Sequence, residues 1–198
     1  GHVHERAVAA RAPGLVVDAS VFHLEFDDQI GTLALPGGRS TVANVGRAVH
    51  RGVEASVQYN LLRALGPNRR AALNFYANAL LLDAEFQAGA FTGRTPQYAP
   101  RHLWRTGLIF TRGSDFKLGL TGTLSAATFA DDTNTAQRRV PAYAVWDLTA
   151  EWRVPRTPVR LIGGLNNVFD EDYYSRVRPD GIDPAPRRNF YLGAAVEF

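Results

Sequence analysis

The closing segment of the chain has the clearest pattern in the sequence. Over residues 189–198, apolar side chains occupy every second position, and small or polar side chains lie between them. Because successive side chains of a strand point to opposite faces, the segment predicts a β-strand with one apolar face. That face comprises Phe190, Leu192, Ala194, Val196 and Phe198. A strand of this kind suits a membrane barrel, where one face meets lipid, and equally a half-buried strand of a soluble sheet.

The same alternation recurs along the chain and predicts eight strands and a partial ninth. Each strand has about 10 residues, which at a tilt of about 45° is enough to cross the core of a bilayer. No segment shows a convincing helical period. The predicted strands are a partial one at residues 4–11, followed by 15–26, 53–61, 71–82, 103–111, 116–125, 143–154, 159–168 and 187–198.

The connections between these strands have a second period. Turns near residues 13, 66, 113 and 156 are short, whereas those near 33, 92, 133 and 178 are long and polar. Alternating short and long connections are typical of an up-and-down barrel with one elaborated rim. We therefore predict an all-β, antiparallel, up-and-down transmembrane β-barrel in which lipid covers the bulky face of nearly every strand. In the second strand, that bulky face is the one shared by Phe22, Leu24 and Phe26.

Composition and missing motifs exclude several functional classes. The chain has no cysteine, which excludes disulfides and thiolate metal sites, and no apolar run approaches the roughly 18 residues of a membrane helix. The arginines are scattered over loops and strand ends, so nucleic acid is not an expected partner. No phosphate-binding glycine loop or G-x-S-x-G turn occurs, and we predict neither an enzyme nor a cofactor. The chain opens without methionine and without a signal segment, which indicates a processed or partial chain.

Two polar motifs are interpreted as loop structure. Residues 131–134 read DDTN, and they lack the glycine and closing glutamate of a calcium loop, so a solvated loop is expected there and no metal site. Asn166, Asn167 and Asp170 are interpreted as turn chemistry that ends a strand, since Asn and Asp side chains bond to nearby backbone.

Four segments, in their order and spacing, resemble the carboxy-terminal part of TonB-dependent outer-membrane receptors. Residues 44–54 read NVGRAVHRGVE, similar to a segment that enters a barrel strand in that family. DAEF at 83–86 precedes a P-x-x-x-P-x-H pattern at 96–102. GLNNVFDEDYY at 164–174 is similar to the family's penultimate strand, and RNFY at 188–191 leads into the last one. The resemblance covers nearly the whole chain.

The resemblance implies part of a plugged barrel of roughly 22 strands in the outer membrane of a Gram-negative bacterium. Such receptors bind a metal chelate, usually a ferric siderophore, or a vitamin, and import it with energy from a TonB complex. Residues 1–198 would then be the carboxy-terminal portion, and contact with TonB would be made by an amino-terminal plug that this sequence lacks. Outer-membrane lipid and lipopolysaccharide are the other expected partners.

The run PDGIDPAPR at 179–187 resembles receptors of the ferric citrate type. Ferric complexes of carboxylates are anionic, and arginine offers them charge-assisted, often bidentate hydrogen bonds. The candidate ligand-binding residues are the loop arginines Arg94, Arg138, Arg139, Arg176, Arg178 and Arg187. The alternative is that these arginines pair with lipopolysaccharide phosphates or with the neighbouring carboxylates of Asp131, Asp132, Asp180 and Asp183.

Two other architectures remain open from the sequence. A complete eight-stranded outer-membrane barrel, with a structural or enzymatic role, must fill its lumen with side chains. A soluble β-sandwich that acts as a binding module would dissolve without detergent. Small inward residues count against the narrow barrel because they would leave voids; these are Gly52, Ser56, Gly119, Gly164 and Gly193.

Overall fold

The structure, a computed structural model, describes residues 2–35, 37, 39–65, 70–178 and 181–196. The first six strands are β1 (His2–Ala12), β2 (Leu15–Ala34), β3 (Ser40–Asn60), β4 (Ala71–Gly89), β5 (His102–Arg112) and β6 (Phe116–Ser125). The others are β7 (Thr128–Phe129), β8 (Arg139–Val140), β9 (Tyr143–Arg153), β10 (Val159–Asn166), β11 (Tyr174–Arg178), β12 (Gly181–Pro184) and β13 (Asn189–Val196). Short 3-10 helices lie at Leu61–Leu65 and Ala136–Arg138. Within these described ranges, no helix is both long and apolar enough to cross a bilayer.

Nine strands form one antiparallel sheet in the order β1-β2-β3-β4-β5-β6-β9-β10-β13. Every strand pairs with the next long strand of the chain, because the two remaining pairs, β7–β8 and β11–β12, are short hairpins inside the long connections. The predicted all-β, antiparallel, up-and-down architecture is confirmed. The predicted turn at 66–68 lies outside the described residues, as do Pro36, Gly38 and the final two positions of the closing strand.

One row of directly opposed residues crosses all nine strands of the sheet. Opposed residues in neighbouring strands share a face, so the row shows what that face presents at one level. Every member is apolar or aromatic: Ala12, Leu15, Tyr59, Phe75, Leu108, Leu120, Leu148, Leu165 and Phe190. A parallel row on the same face reads Leu73, Phe110, Leu118, Ala150, Gly163 and Leu192. We call this face the apolar belt.

Within the residues that the structure describes, no second layer packs on the apolar belt. Phe190 and Leu192 are 82% and 80% exposed. Leaving one such side chain in water forgoes about 1.5–3 kcal/mol of burial free energy, so the belt requires an apolar surrounding. Among the described strands only the two short hairpins lie outside the nine-stranded sheet. The described strands therefore do not form a sandwich. The eight-stranded closed barrel is not formed either, because β1 and β13 are the two edges of the sheet and do not pair with each other.

The prediction for Phe22, Leu24 and Phe26 was wrong. The register places Phe22 opposite Gly52, on the face away from the apolar belt. The physical reason is that β2, β3 and β4, with 20, 21 and 19 residues, continue well past the belt. Beyond it the belt side of the sheet becomes charged, with the guanidinium of Arg51 2.7 Å from the carboxylate of Asp83. The aromatic side chains there point to the other face.

These extended strands also replace predicted connections. Residues 27–38 were expected to form an exposed loop or short ribbon, and the ends of β2 and β3 do pair as a ribbon there. Residues 83–101 were expected to be a long connection, whereas β4 runs to Gly89. Gly46 and Gly89 face each other with φ of +113° and +100°, and a Cβ on Gly46 would overlap the carbonyl oxygen of Ala88. Only glycine fits this close backbone approach.

A small hydrophobic core lies where the extended strands meet the first long connection. It consists of Val45, Ala48, Phe86 and Phe91, each no more than 5% exposed. The rings of Phe86 and Phe91 meet edge to face, with centroids 5.5 Å apart. This core fixes the base of residues 90–101 to the sheet.

Candidate ligand-binding rim

Three long connections at one end of the sheet are held together by hydrogen bonds. We call residues 90–101, 126–142 and 167–188 together the rim. The side-chain amide of Asn134 donates to the carbonyl oxygen of Thr95 at 2.7 Å, and its oxygen accepts from the Thr95 N–H at 2.9 Å. The hydroxyl of Tyr98 donates to the carbonyl oxygen of Val177 at 2.9 Å. The first connection therefore bonds to both of the others.

The DDTN segment is not a solvated loop, which corrects the expectation. Asp132 is only 7% exposed, and its Oδ1 accepts from the N–H of Gln97 at 2.9 Å. Burial pushes the pKa of Asp131 upward, but hydrogen bonds from Thr135 and Thr133 and the charge of Arg138 outweigh burial and lower the pKa. Both carboxylates thus act as acceptors for the backbone of the rim. Within the described ranges no cluster of three metal-ligating side chains occurs.

Asn167 closes the end of β10, as its interpretation as turn chemistry predicted. It is 2% exposed with φ of +51°, a conformation that asparagine tolerates better than most residues. Its backbone N–H donates to the carboxylate of Asp147 at 2.8 Å. Its side-chain oxygen accepts from the N–H of Glu171, and its amide donates to the carbonyl oxygens of Glu171 and Pro186. One side chain therefore joins both ends of the third connection.

Asp170 binds the segment that leads into β13. Its Oδ1 accepts from the N–H of Arg188 at 2.9 Å, and the guanidinium of Arg187 lies 3.3 Å away. The backbone hydrogen bond from Arg188 is the main cause that lowers the pKa of Asp170; burial opposes it, and the charges of Arg187 and Arg188 lower the pKa further. The carboxylate is thus ionised at neutral pH.

Four of the six candidate arginines have partners within the rim. Arg138 lies 3.8 Å from Asp131, Arg178 lies 2.7 Å from Asp183, and Arg187 lies 3.0 Å from Asp172. Arg94 donates to the carbonyl oxygen of Thr133. The sequence left pairing with Asp131, Asp132, Asp180 or Asp183 open as an alternative to ligand binding. Arg138 and Arg178 pair in that way, whereas Arg187 pairs with an aspartate that the alternative did not name, and Asp180 lies outside the described residues.

Arg139 and Arg176 differ from the other four. Both are exposed, and neither makes an ion pair with any carboxylate in the described part of the chain. Arg139 lies in β8 and Arg176 in β11, and Cα atoms of these two short strands come within 8 Å of each other. Two of the predicted site residues are therefore exposed on neighbouring short strands, without an ion pair to the carboxylates that the structure describes.

The face opposite the apolar belt bounds an open cavity. Its volume is about 590 Å³, and polar side chains from neighbouring strands line it, among them Asp18, Ser56, Asn78 and Arg105. The five small residues predicted to point inward lie on this face. Tyrosine rings cover two of the glycines on this face: Tyr76 lies over Gly107 and Tyr191 over Gly164. A polar face that bounds a cavity and an apolar belt on the opposite face are the two surfaces expected of a barrel wall.

Sequence comparison identifies the family. A protein-family model described as "TonB dependent receptor-like, beta-barrel" matches residues 10–168. The chain belongs to this family of β-barrel receptors, whose members are outer-membrane proteins of Gram-negative bacteria. The family and the similar structures are transport receptors and not enzymes.

Individual relatives match at lower identity or over part of the chain. The heme transporter BhuA of Brucella suis biovar 1 (strain 1330) is 34% identical over 96 residues, which is 42% of this chain and 14% of BhuA. The unliganded ferric citrate transporter FecA shares the fold with a TM-score of 0.79 at 20% identity, covering 99% of this chain and 31% of FecA. The ferric yersiniabactin uptake receptor FyuA from Yersinia pestis has a TM-score of 0.79 at 18% identity, covering 99% of this chain and 29% of FyuA. The chain thus spans less than a third of each.

Proposed function

We propose that this chain is the carboxy-terminal sector of an outer-membrane receptor that imports an iron chelate with energy delivered through TonB. The observation that carries the proposal is the apolar belt across all nine strands, on a chain that belongs to a family of receptor barrels. A strand face that is apolar over its whole width needs lipid, and the opposite polar face suits a water-filled or plugged lumen.

The rest of the barrel completes this sector. Strands β1 and β13 are sheet edges in the described structure, and unpaired backbone at a sheet edge is not tolerated in hydrocarbon. We propose that further strands of the same receptor pair with both edges and that its plug occupies the cavity on the polar face. The similar structures, of which this chain covers about 30%, support this arrangement.

The ligand we propose is an anionic ferric chelate, of which ferric citrate is the leading example. The rim presents arginines at the end of the sheet where the long connections lie, and guanidinium groups suit carboxylate oxygens. The similar structures named as a ferric citrate transporter, a ferric yersiniabactin uptake receptor and a ferric enterobactin receptor all carry iron-chelate names. Lipid and lipopolysaccharide would contact the belt and the charged surface beyond it.

Heme is a second candidate ligand, because the match to BhuA has the highest identity among the comparisons described above. That match covers less than half of the chain. Ferric citrate and heme are distinguishable by experiment, since one is a small hydrophilic anion and the other a large flat macrocycle.

Uptake by the complete receptor tests the proposal. The receptor is expressed in a Gram-negative strain that lacks its own iron and heme receptors, and radioactive iron is supplied as ferric citrate, ferric enterobactin or hemin. We expect saturable uptake of ferric citrate that disappears when TonB is deleted. Uptake of hemin alone would show that the ligand is heme and not an anionic ferric chelate. Uptake of none of the three, or uptake independent of TonB, would contradict the proposed function.

A further inference from the structure

We infer that a recess on the lipid side of β2, β3 and β4 binds phosphate groups of lipopolysaccharide together with the divalent cation that accompanies them. The recess has a volume of about 220 Å³. We call it the headgroup recess, and the charged or titratable side chains that line it are His23, Glu25, Arg47, Arg51, Asp83 and Glu85. The inference rests on the proposed placement of this sheet in the outer membrane, and it concerns the lipid side of the sheet and not the rim.

The headgroup recess lies on the same face as the apolar belt, directly beyond the last apolar row of that face. The last apolar row and the first charged row are two residues apart, which is about 7 Å along each strand. The apolar row opposes Val21, Val53 and Leu81, and the charged row opposes His23, Arg51 and Asp83. From this level β4 continues into the first connection of the rim. Long connections of outer-membrane barrels are extracellular, so the headgroup recess lies at the level of the outer leaflet's head groups.

The two ends of this face carry different side chains on the same three strands. At the end with the short turns, one row opposes Leu15, Tyr59 and Phe75, which are apolar or aromatic. At the rim end, the headgroup recess gathers side chains of both charge signs. The two leaflets of the outer membrane differ in the same sense, because lipopolysaccharide of the outer leaflet carries phosphates that divalent cations bridge.

Arginine supplies the contact to phosphate. Arg47 is exposed and makes no ion pair with a carboxylate that the structure describes. Arg51 donates from Nε and Nη2 to Oδ2 of Asp83 at 2.9 and 2.7 Å, which uses two of its five N–H groups. The two side chains of this pair are 65% and 63% exposed, and such a pair contributes at most about 1 kcal/mol. The guanidinium of Arg47 and the remaining donors of Arg51 therefore suit phosphate oxygens.

The carboxylates of the headgroup recess decide which kind of phosphate it accepts. Three carboxylates line it beside two arginines, so a free phosphate ion would meet net negative charge. Mg²⁺ is commonly held by one or two carboxylates together with phosphate oxygens. Glu25 and Glu85 lie in one row, on either side of Val49, and can share such a cation with a phosphate. Within the described ranges no group of three side chains can hold a metal alone, so the cation is shared with the phosphate.

Continuity with the apolar belt identifies the rest of the bound molecule. A phosphate seated in the headgroup recess lies directly above the apolar row on the same face, where acyl chains of the same molecule would contact the belt. A soluble phosphate compound would gain nothing from that contact. An amphiphile that carries phosphate, a divalent cation and acyl chains therefore fits this surface best.

Titration of the complete, detergent-purified receptor with lipid A tests the inference, with bound lipid counted by native mass spectrometry. The receptor is first stripped of its own lipopolysaccharide. The probes are diphosphorylated lipid A and its dephosphorylated form, which has the same acyl chains. The variants are Arg47→Gln/Arg51→Gln and Glu25→Gln/Glu85→Gln, with Arg156→Gln as the matched control. Arg156 is exposed in the turn between β9 and β10, at the opposite end of the sheet from the rim.

The expected result depends on phosphate and on Mg²⁺. With Mg²⁺ present, the arginine variant should bind diphosphorylated lipid A about tenfold or more weakly than the wild type, because charge-assisted hydrogen bonds are lost. The carboxyl variant should also bind more weakly with Mg²⁺, but at least as tightly as the wild type once EDTA removes the cation. The control should bind as the wild type does, and dephosphorylated lipid A should bind weakly and equally to all four proteins.

The other outcomes separate this inference from the proposed function. Unchanged affinity of the arginine variant for diphosphorylated lipid A would overturn the headgroup recess. Equal binding of the two forms of lipid A by the wild type would overturn it too, because acyl chains alone would then explain binding. Tighter binding by the carboxyl variant in Mg²⁺ would contradict the shared cation. Chelate uptake is measured separately, so a receptor that imports no chelate but binds lipid A in the expected way would contradict only the proposed function.

Discussion

At the scale of single residues, the rim depends on asparagine side chains that replace backbone pairing. Asn134 bonds to both the N–H and the carbonyl oxygen of Thr95, and in this way imitates one rung of a β-ladder between two loops. Asn167 does the same for both ends of the third connection. A backbone polar group that is buried without a partner is costly, so loops far from the sheet need such substitutes.

Replacement of Asn167 by alanine should destabilise the receptor by about 2 to 3 kcal/mol, because three part-buried hydrogen bonds to the backbone of Glu171 and Pro186 are lost. The measurement is urea unfolding of the complete receptor in phospholipid bilayers. Asn166→Ala is the matched control, since the adjacent Asn166 makes one exposed hydrogen bond, to Asn189 at 2.8 Å. A loss as small as that of the control would show that Asn167 does not close the loop.

At the scale of strands, the two faces of β6 should respond differently to charge. Leu120 belongs to the apolar belt, and its neighbour Thr121 lies on the opposite face. An arginine on a lipid-facing position near the bilayer centre costs about 2–4 kcal/mol, whereas lumen positions tolerate charge. Leu120→Arg should therefore lower the free energy of unfolding in bilayers by that amount, and Thr121→Arg by clearly less. Equal losses of stability, or a larger loss for Thr121→Arg, would contradict lipid contact at the apolar belt.

The strands were predictable because alternation is a local property of the sequence, and the nine strands of the sheet correspond to the nine predicted segments. Alternation shows that a strand has two different faces, however, and it does not show which of them meets lipid. Phe22 alternates as regularly as Leu118 does, yet the register places the two on opposite faces. The sequence alone did not show how far β2 and β3 extend, and therefore did not show at which level along these strands the membrane ends.

The rim was only partly predictable for a related reason. Its candidate arginines were found because charge in long loops is visible in the sequence. The pairs that neutralise some of them, such as Arg187 with Asp172, and the contact of β8 with β11 depend on how three separate loops pack together. No local pattern records that packing, so the sequence could not separate Arg139 and Arg176 from the other arginines.

At the scale of the whole molecule, the sheet has the two surfaces of a barrel wall and the two edges of an incomplete one. The belt, the polar face and the rim each have a place in a receptor barrel, whereas the exposed belt is unfavourable in an isolated soluble sheet. The account therefore depends on lipid contact along one face of every strand, and on nothing in the rim.

Lipid access along β6 of the complete receptor tests that claim most directly. This chain has no cysteine, so a single cysteine can be introduced at each chosen position of a receptor that has no other cysteine, and labelled with a nitroxide. Spin-resonance spectroscopy then measures how often the label collides with oxygen, which concentrates in lipid, and with a water-soluble nickel chelate. We expect high oxygen access at belt positions and low oxygen access at the alternate positions. The belt positions are Leu118, Leu120 and Leu124, and the alternate ones are Lys117, Thr121 and Thr123. Oxygen access without a period of two, or with the two sets exchanged, would contradict the account.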